Sequence, residues 1–415
     1  MADRAGRAAG LGFRFVFVYF LLFIPTVPLN QLPIVGRVVG VWDGLWLQVV
    51  PWVGRAFLGL GQVVPVGGDT PYHYVKMLCQ IVLAVVAALA WSAVPSRSSH
   101  DATLHDWLRV AVRYFLAAAM FNYGVVKLFN TQFLPLEPDR LILRYGDSSP
   151  AALLWAFMGY SNAYTTFAGA GEVVGALLLF FRRTTTLGAL LLSAQLVNIV
   201  MMNFCYDVGA KLFSMHLLLM ALFLLAPELP RLANVLVLNR PTVPVVLRRP
   251  PPARWMVLAR LVAKTAFVGM VVVFMTGGAL SLLMKKWMAN PPLYGLYEVE
   301  TFTLGDKTLP PLVTDASRWR WFIVGRYNQL TVEAMNGQRQ VFFVRHDPQT
   351  RTLNVFDPRD STPIGLLSYV QNKSDHLSMS GFIGSDPLAM QLRRVDESTF
   401  LLVNRGFKWS RESYD

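Results

Sequence analysis

The chain has 415 residues, 54% of them hydrophobic and only 15% charged, against roughly 25% charged in an ordinary soluble domain. That balance excludes a water-soluble protein of this size and makes lipid the natural solvent. The net charge of +13 does not point to nucleic acid: residues 288–415 balance 14 Lys and Arg against 14 Asp and Glu, whereas 1–287 hold 24 against 11. Basic residues beside apolar runs follow the positive-inside pattern rather than a phosphate-binding face.

A helix needs about 20 apolar residues to cross a bilayer. On that measure the sequence predicts seven spans, at 11–27, 72–94, 107–127, 162–181, 184–204, 210–227 and 256–284. The first lacks a small-residue cleavage site and reads as a retained helix. Between the first two, Trp42, Leu45, Val49, Trp52 and Val53 recur at helical spacing and predict an interfacial helix broken near Pro51. Residues 128–150 mix apolar and charged side chains and are expected to fold back onto the helix ends. Arg4 and Arg7, the Arg182–Arg183 turn, and Arg231, Arg240, Arg248, Arg249 and Arg254 mark one face as cytoplasmic. An odd number of spans then puts the C-terminus outside, although Lys285 and Lys286 run against the rule. The expected organisation is N-terminal helices with an interfacial segment (1–106), a four-helix core (107–228), a basic linker (229–255), a seventh span (256–286) and an outer β-domain (287–415).

Charge inside a span costs several kcal/mol, so it needs a partner or a task. The third span ends with Asn122, Tyr123 and Lys127; the fourth carries Glu172; the fifth holds Gln195, Asn198 and Asn203, with Asp207 just beyond; the sixth carries Lys211 and His216. Converging faces would form a polar pocket open to the outer side, which His73, Lys76 and Gln80 of the second span are expected to join. Glu172 and Lys127 are the candidate acid–base pair. Asn122, Tyr123, Asn198, Asn203, Asp207 and His216 are candidate contacts to a bound cofactor. The bland alternatives are snorkelling lysines, capping by Asp207, interhelical hydrogen bonding by Asn198 and a packed histidine. The scattered histidines offer no multi-His metal site. Cys79 and Cys205 form no CxxC, and both fall near the outer side, where a disulfide between them is conceivable.

Two stretches carry a resemblance. YFLAAAMFNYGVVKLF, with Gly124 and Lys127, and GEVVGALLLFFRRTTTLGALLL, with Glu172, Gly175 and Arg183, are similar to the DoxX-like membrane family, a four-helix unit, over about residues 112–228. The resemblance implies that fold. Its relatives include subunits proposed to pass electrons to quinone and others that act as assembly or cargo factors. A weaker likeness, carried by GVVKL and the general layout, is to the membrane part of vitamin K-dependent carboxylase-like proteins; it implies Lys127 as a base acting on a quinol-type cofactor.

From residue 294 the character changes to short runs of β-branched and aromatic residues separated by turn signals, among them Asn336–Gly337. About eight strands in an antiparallel meander are predicted, as an up-and-down barrel or a sandwich. A barrel of that type has room for an apolar ligand by analogy of fold alone. Arg393, Arg394, Asp396, Arg405 and Trp409 are a candidate ligand edge, or else a solvated strand face. The whole is expected to be a multi-pass protein of a bacterial inner membrane, N-terminus cytoplasmic and β-domain periplasmic. Its expected partners are membrane lipid, a quinone or lipid ligand and a membrane-complex protein. Three functions compete: a quinone-linked redox subunit, a non-enzymatic envelope component docking through its β-domain, and a carboxylase-like enzyme.

Overall fold

The structure, a computed structural model, describes residues 2–93, 98–243, 253–287, 290–372 and 375–404. It divides into two compact units, Met1–Leu134 with Ser149–Lys286, and Pro135–Ser148 with Trp287–Asp415.

The first unit is helical. Its elements are α1 (Ala2–Phe23), α2 (Val35–Leu58), α3 (Pro71–Ala93) and α4 (Ser98–Leu128). After α5 (Pro138–Leu141), which belongs to the second unit, come α6 (Pro150–Tyr160), α7 (Asn162–Leu179), α8 (Thr185–Cys205), α9 (Lys211–Leu225), α10 (Leu229–Leu236) and α11 (Arg254–Trp287). Among the described residues, Pro71–Ala93, Arg182–Cys205, Lys211–Leu236 and Arg254–Lys286 are long and apolar enough to cross a membrane.

α4, α7, α8 and α9 close a ring in which each helix touches the next. Small residues set its tight spacing. A methyl group on Gly169 of α7 would fall 2.6 Å from Lys127 Cβ and 2.7 Å from the Gly124 carbonyl oxygen of α4, so the two backbones meet where the glycines lie. α1 packs beside α3, where Arg14 donates to Ser92 Oγ at 3.0 Å, and Arg14 also pairs with Asp101 of α4 at 3.1 Å. α11 lies against the ring through Tyr114 and Phe267, rings 5.5 Å apart, and is tied at its end by Lys286 Nζ donating to the Asn130 carbonyl at 2.9 Å.

α2 corrects one expectation. It runs unbroken through Pro51. A proline forfeits one backbone hydrogen bond, and here packing on both sides holds the helix together: Trp46 and Val50 bury against Val63, Tyr72 and Val75. The buried positions are Val39, Trp46, Val50 and Gly54, while Leu45, Val49 and Trp52 of the expected stripe are exposed. Cys79 and Cys205 are free thiols, not a disulfide.

The second unit is a closed antiparallel barrel of eight strands: β1 (Gly295–Leu304), β3 (Trp319–Val324), β4 (Gln329–Ala334), β5 (Arg339–Asp347), β6 (Thr352–Phe356), β7 (Pro363–Gln371), β8 (His376–Ile383) and β9 (Asp386–Val395). Each strand pairs with the next, and β9 returns to β1 with Phe302 opposite Met390. The two-residue β2 (Lys307–Thr308) only extends β1 into a hairpin. Alternate residues point inward, and Phe302, Phe322, Leu330, Val355, Leu367 and Leu392 are among those filling the interior. The barrel thus has a packed core where a ligand cavity had been conceivable. A bulge between Val299 and Thr301 frees the carbonyls of Val299 and Glu300. The buried Arg318 guanidinium donates to both, at 3.2 and 3.1 Å.

Two further expectations change here. Residues 135–148 group with the barrel rather than with the helix ends. Glu137 pairs with Arg326 Nε at 3.2 Å and accepts its backbone N–H, and Arg339 donates to the Asp139 carbonyl at 3.1 Å. The run FLLVNRGFKW, whose apolar and aromatic residues predict a last strand, instead begins with the helical turn α12 (Leu401–Asn404), which follows a 3-10 turn capped by Asp396; the rest of it lies outside the described residues. Closure of β9 on β1 leaves no free edge there for another strand. Arg393 pairs with Glu298 and Glu300, and Arg394 donates to the Tyr294 carbonyl. Those charges form a solvated strand face. Arg405 and Trp409 of the proposed ligand edge, and Arg248 and Arg249 of the linker, lie outside the described residues.

Candidate functional site

On α4, Met120, Tyr123 and Lys127 stand three and four residues apart and share one face. On α7, Thr165, Gly169, Glu172 and Ala176 do the same. The Gly124–Gly169 contact brings these faces together. Lys127 Nζ then lies 2.8 Å from one carboxylate oxygen of Glu172 and 2.9 Å from the other. Both side chains are buried, 9% and 3% exposed. An isolated charge at such a place is far costlier than the pair, and the pair survives because each ion satisfies the other. Among the described residues no other side chain hydrogen-bonds Glu172. A carboxylate has about four acceptor positions, so the pair keeps unused capacity on both partners.

That capacity faces a cavity of about 560 Å³ inside the helical unit. Most of its wall is apolar, including Met120, Met158, Leu196, Ile199, Phe213 and Leu217. Among the described residues, Lys127 and Glu172 are the only charged side chains lining it. Tyr123 adds its ring, 5.8 Å from Lys127 Nζ. Gln195 adds an amide whose Oε1 is buried with no hydrogen-bond partner among the described residues. A polar end on an apolar chamber of this volume suits a small amphiphile.

The candidate residues separate. Glu172, Lys127, Tyr123, Asn198 and Asn203 line the cavity. Asn198 stands at its exposed rim. Asn203 is partly committed to structure, its Nδ2 donating to the Ala210 carbonyl at 3.2 Å and to Ser214 Oγ at 3.0 Å. Asn122 lines no cavity described here, being turned to another side of α4. Asp207 lies outside as well: its side chain is 82% exposed and pairs with Lys211 at 2.6 Å in the turn between α8 and α9.

His216 belongs to a neighbouring chamber of about 630 Å³. Its ring stacks on Phe23 at 4.1 Å, nearly parallel. Nδ1 faces the Leu212 carbonyl and Nε2 the Tyr19 hydroxyl, each at 2.6 Å. A carbonyl only accepts, so Nδ1 carries a proton toward Leu212, while Nε2 shares its hydrogen bond with the Tyr19 hydroxyl. His73, Lys76 and Gln80, expected to join Glu172, line this second chamber too, with Asp43 and Asp69. Lys76 pairs with Asp43 at 3.3 Å, while Asp69 accepts from the backbone N–H groups of Lys211 and Leu212 at 2.5 and 3.1 Å, capping α9.

Sequence reasoning missed Tyr19 and both aspartates. Tyr19 carries no signal, being one more aromatic in FRFVFVYFLLF. Asp43 did carry one: it is the lone acid of VWDGLW, in a helix otherwise apolar around it.

These features define a class: a helical membrane part with a closed β-barrel domain, whose helical bundle encloses an ion-paired, ligand-sized cavity. No family model matches the chain, and no solved structure matches it. The chain is 38% identical over 113 residues to the uncharacterized protein YwoB of Bacillus subtilis (strain 168), a stretch covering 27% of this chain and 71% of YwoB. The chain belongs to the YwoB family.

Proposed function

We propose that this is a seven-span, DoxX-like inner-membrane protein whose four-helix core binds an apolar molecule with a hydrogen-bonding head, a quinone first and a lipid second. The observation that carries this is the buried Lys127–Glu172 pair at the wall of a mostly apolar cavity. In this role the Lys127 ammonium donates to a head-group oxygen, and Glu172 exchanges a proton with it, since quinol oxidation releases protons. The electrons would need a partner protein in the membrane, or the substrate itself, as their acceptor or source.

Seven spans follow if α1, α3, α4, α7, α8, α9 and α11 cross. α6, with 11 residues, is too short. α2 carries Arg37, Asp43 and Arg55 among its apolar residues and lies at the interface. Arg182, Arg183, Arg231 and Arg240 then face the cytoplasm with the N-terminus, and the barrel is periplasmic.

The test is chemical. Protein purified from native membranes is extracted with solvent, and the extract is analysed by mass spectrometry. Wild type should yield a quinone or lipid near one per chain, and Glu172→Gln and Lys127→Met should lose it while eluting as folded monodisperse protein. Extracts free of both, together with no spectral shift on titration with a short-chain quinone, would overturn the proposal.

A second reading rests on the barrel. Its outside carries a polar cluster of Glu298, Glu300, Arg393 and His376. An envelope protein docking there predicts stoichiometric co-purification that Arg393→Glu abolishes.

A further inference from the structure

The two chambers of the helical unit differ in kind and share a wall. Tyr123, Phe213, Gly68 and Gly209 line both. The rings of Tyr123 and Phe213 are 5.9 Å apart and form the side-chain part of that wall. On the Glu172 side, the rim carries Trp155, Tyr164 and Phe167, which are 39%, 43% and 75% exposed. Large exposed aromatics suit a mouth that opens into lipid. On the other side the lining holds the ionisable residues Asp43, Asp69 and Lys76, with His73 and Gln80. Groups of that kind retain water, because their hydrogen-bonding capacity is not exhausted by one another. Lys76, for example, spends one of its three donors on Asp43.

We propose that the second chamber is the aqueous access route to the Lys127–Glu172 pair, supplying water and protons, while the apolar ligand enters from lipid past Phe167. Tyr123 and Phe213 are the partition between the two. This deepens the quinone or lipid reading, since a head group that gains or loses protons needs a path for them that its apolar tail does not block.

The experiment reads access rather than activity. In a full-length Cys79→Ala, Cys205→Ala background, Met77→Cys places a thiol on the second chamber and Ala168→Cys places one on the first. A charged methanethiosulfonate, which does not cross lipid, is applied and labelling rates are followed by mass shift. Met77→Cys should label rapidly. Ala168→Cys should label at least 10-fold more slowly, and its rate should rise at least 10-fold when Tyr123→Ala or Phe213→Ala removes half of the partition. Two partition variants guard against one of them misfolding, and thermal melting checks each.

The proposal fails if Met77→Cys stays unlabelled while the native Cys205, exposed, reacts in the parent protein. It fails equally if Ala168→Cys labels as fast as Met77→Cys with Tyr123 in place, or if neither partition variant changes its rate. Because no ligand is needed, such a failure leaves the ligand proposal standing. An empty solvent extract with gated labelling does the reverse.

Discussion

Glu172 and Lys127 show how a buried ion pair differs from either ion alone. Each satisfies the other at under 3 Å, so removing one strands its partner. Glu172→Leu or Lys127→Met should each cost about 3–5 kcal/mol, whereas Lys127→Met with Glu172→Leu should be near neutral. Thermal unfolding in detergent reads this directly: a double variant as unstable as the two single losses combined would mean that the pair is not coupled. On the barrel, Arg359 and the backbone around it hold the Asp357 carboxyl down at about 2, from the usual 3.8. A folded value below the unfolded one stabilises the fold at pH above about 3.8, and that contribution fades as pH falls through 2. A carboxyl carbon titration by NMR should show the depressed midpoint, and Arg359→Ala should return it toward 3.8.

Among elements, the contact between α4 and α7 decides whether the site exists. Gly169→Ala would force its new methyl into Lys127 Cβ and two backbone atoms within 3 Å. The helices must part, at about 1–3 kcal/mol, and retention of any bound ligand should fall with them. Gly277→Ala on α11 meets nothing within 4 Å; there the gain in helix propensity of about 0.5–1 kcal/mol should raise the melting temperature. Equal effects at the two glycines would contradict this packing account. Each expected span overlaps a helix, and four of these helices are long and apolar enough to cross a membrane; helices were legible because run length is a local property. The continuity of α2 through Pro51 was not legible, since it depends on Trp46 and Val50 docking on α3. The strand meander was legible from alternation and turn residues, but the choice of barrel over sandwich rests on β9 returning to β1, a pairing about 90 residues apart in sequence that no local pattern encodes.

For the whole molecule, the segment between α4 and α6 joins one unit in sequence and the other in packing. Glu137 and the Asp139 carbonyl fasten it to Arg326 and Arg339 of the barrel. Glu137→Ala should speed trypsin cleavage after Arg140 and Arg144 several-fold; an unchanged digest would show the clasp to be ornamental. The site was legible only in part for a related reason. Polar residues within spans are conspicuous one at a time, so Glu172, Lys127 and Tyr123 stood out, and they do share a chamber. Helical rotation, which sequence leaves free, sends Asn122 elsewhere and assigns His216, bonded to Tyr19, to the chamber of Lys76.

The central claim is that the ion pair is the polar end of an occupied apolar cavity. A cryo-electron microscopy map of protein purified from native membranes at side-chain resolution tests it most directly. The account predicts non-protein density in the chamber of Trp155, Phe213 and Leu217, with its head about 3 Å from Lys127 Nζ or a Glu172 oxygen. A chamber filled by rearranged side chains, or one holding ordered water alone, would contradict it.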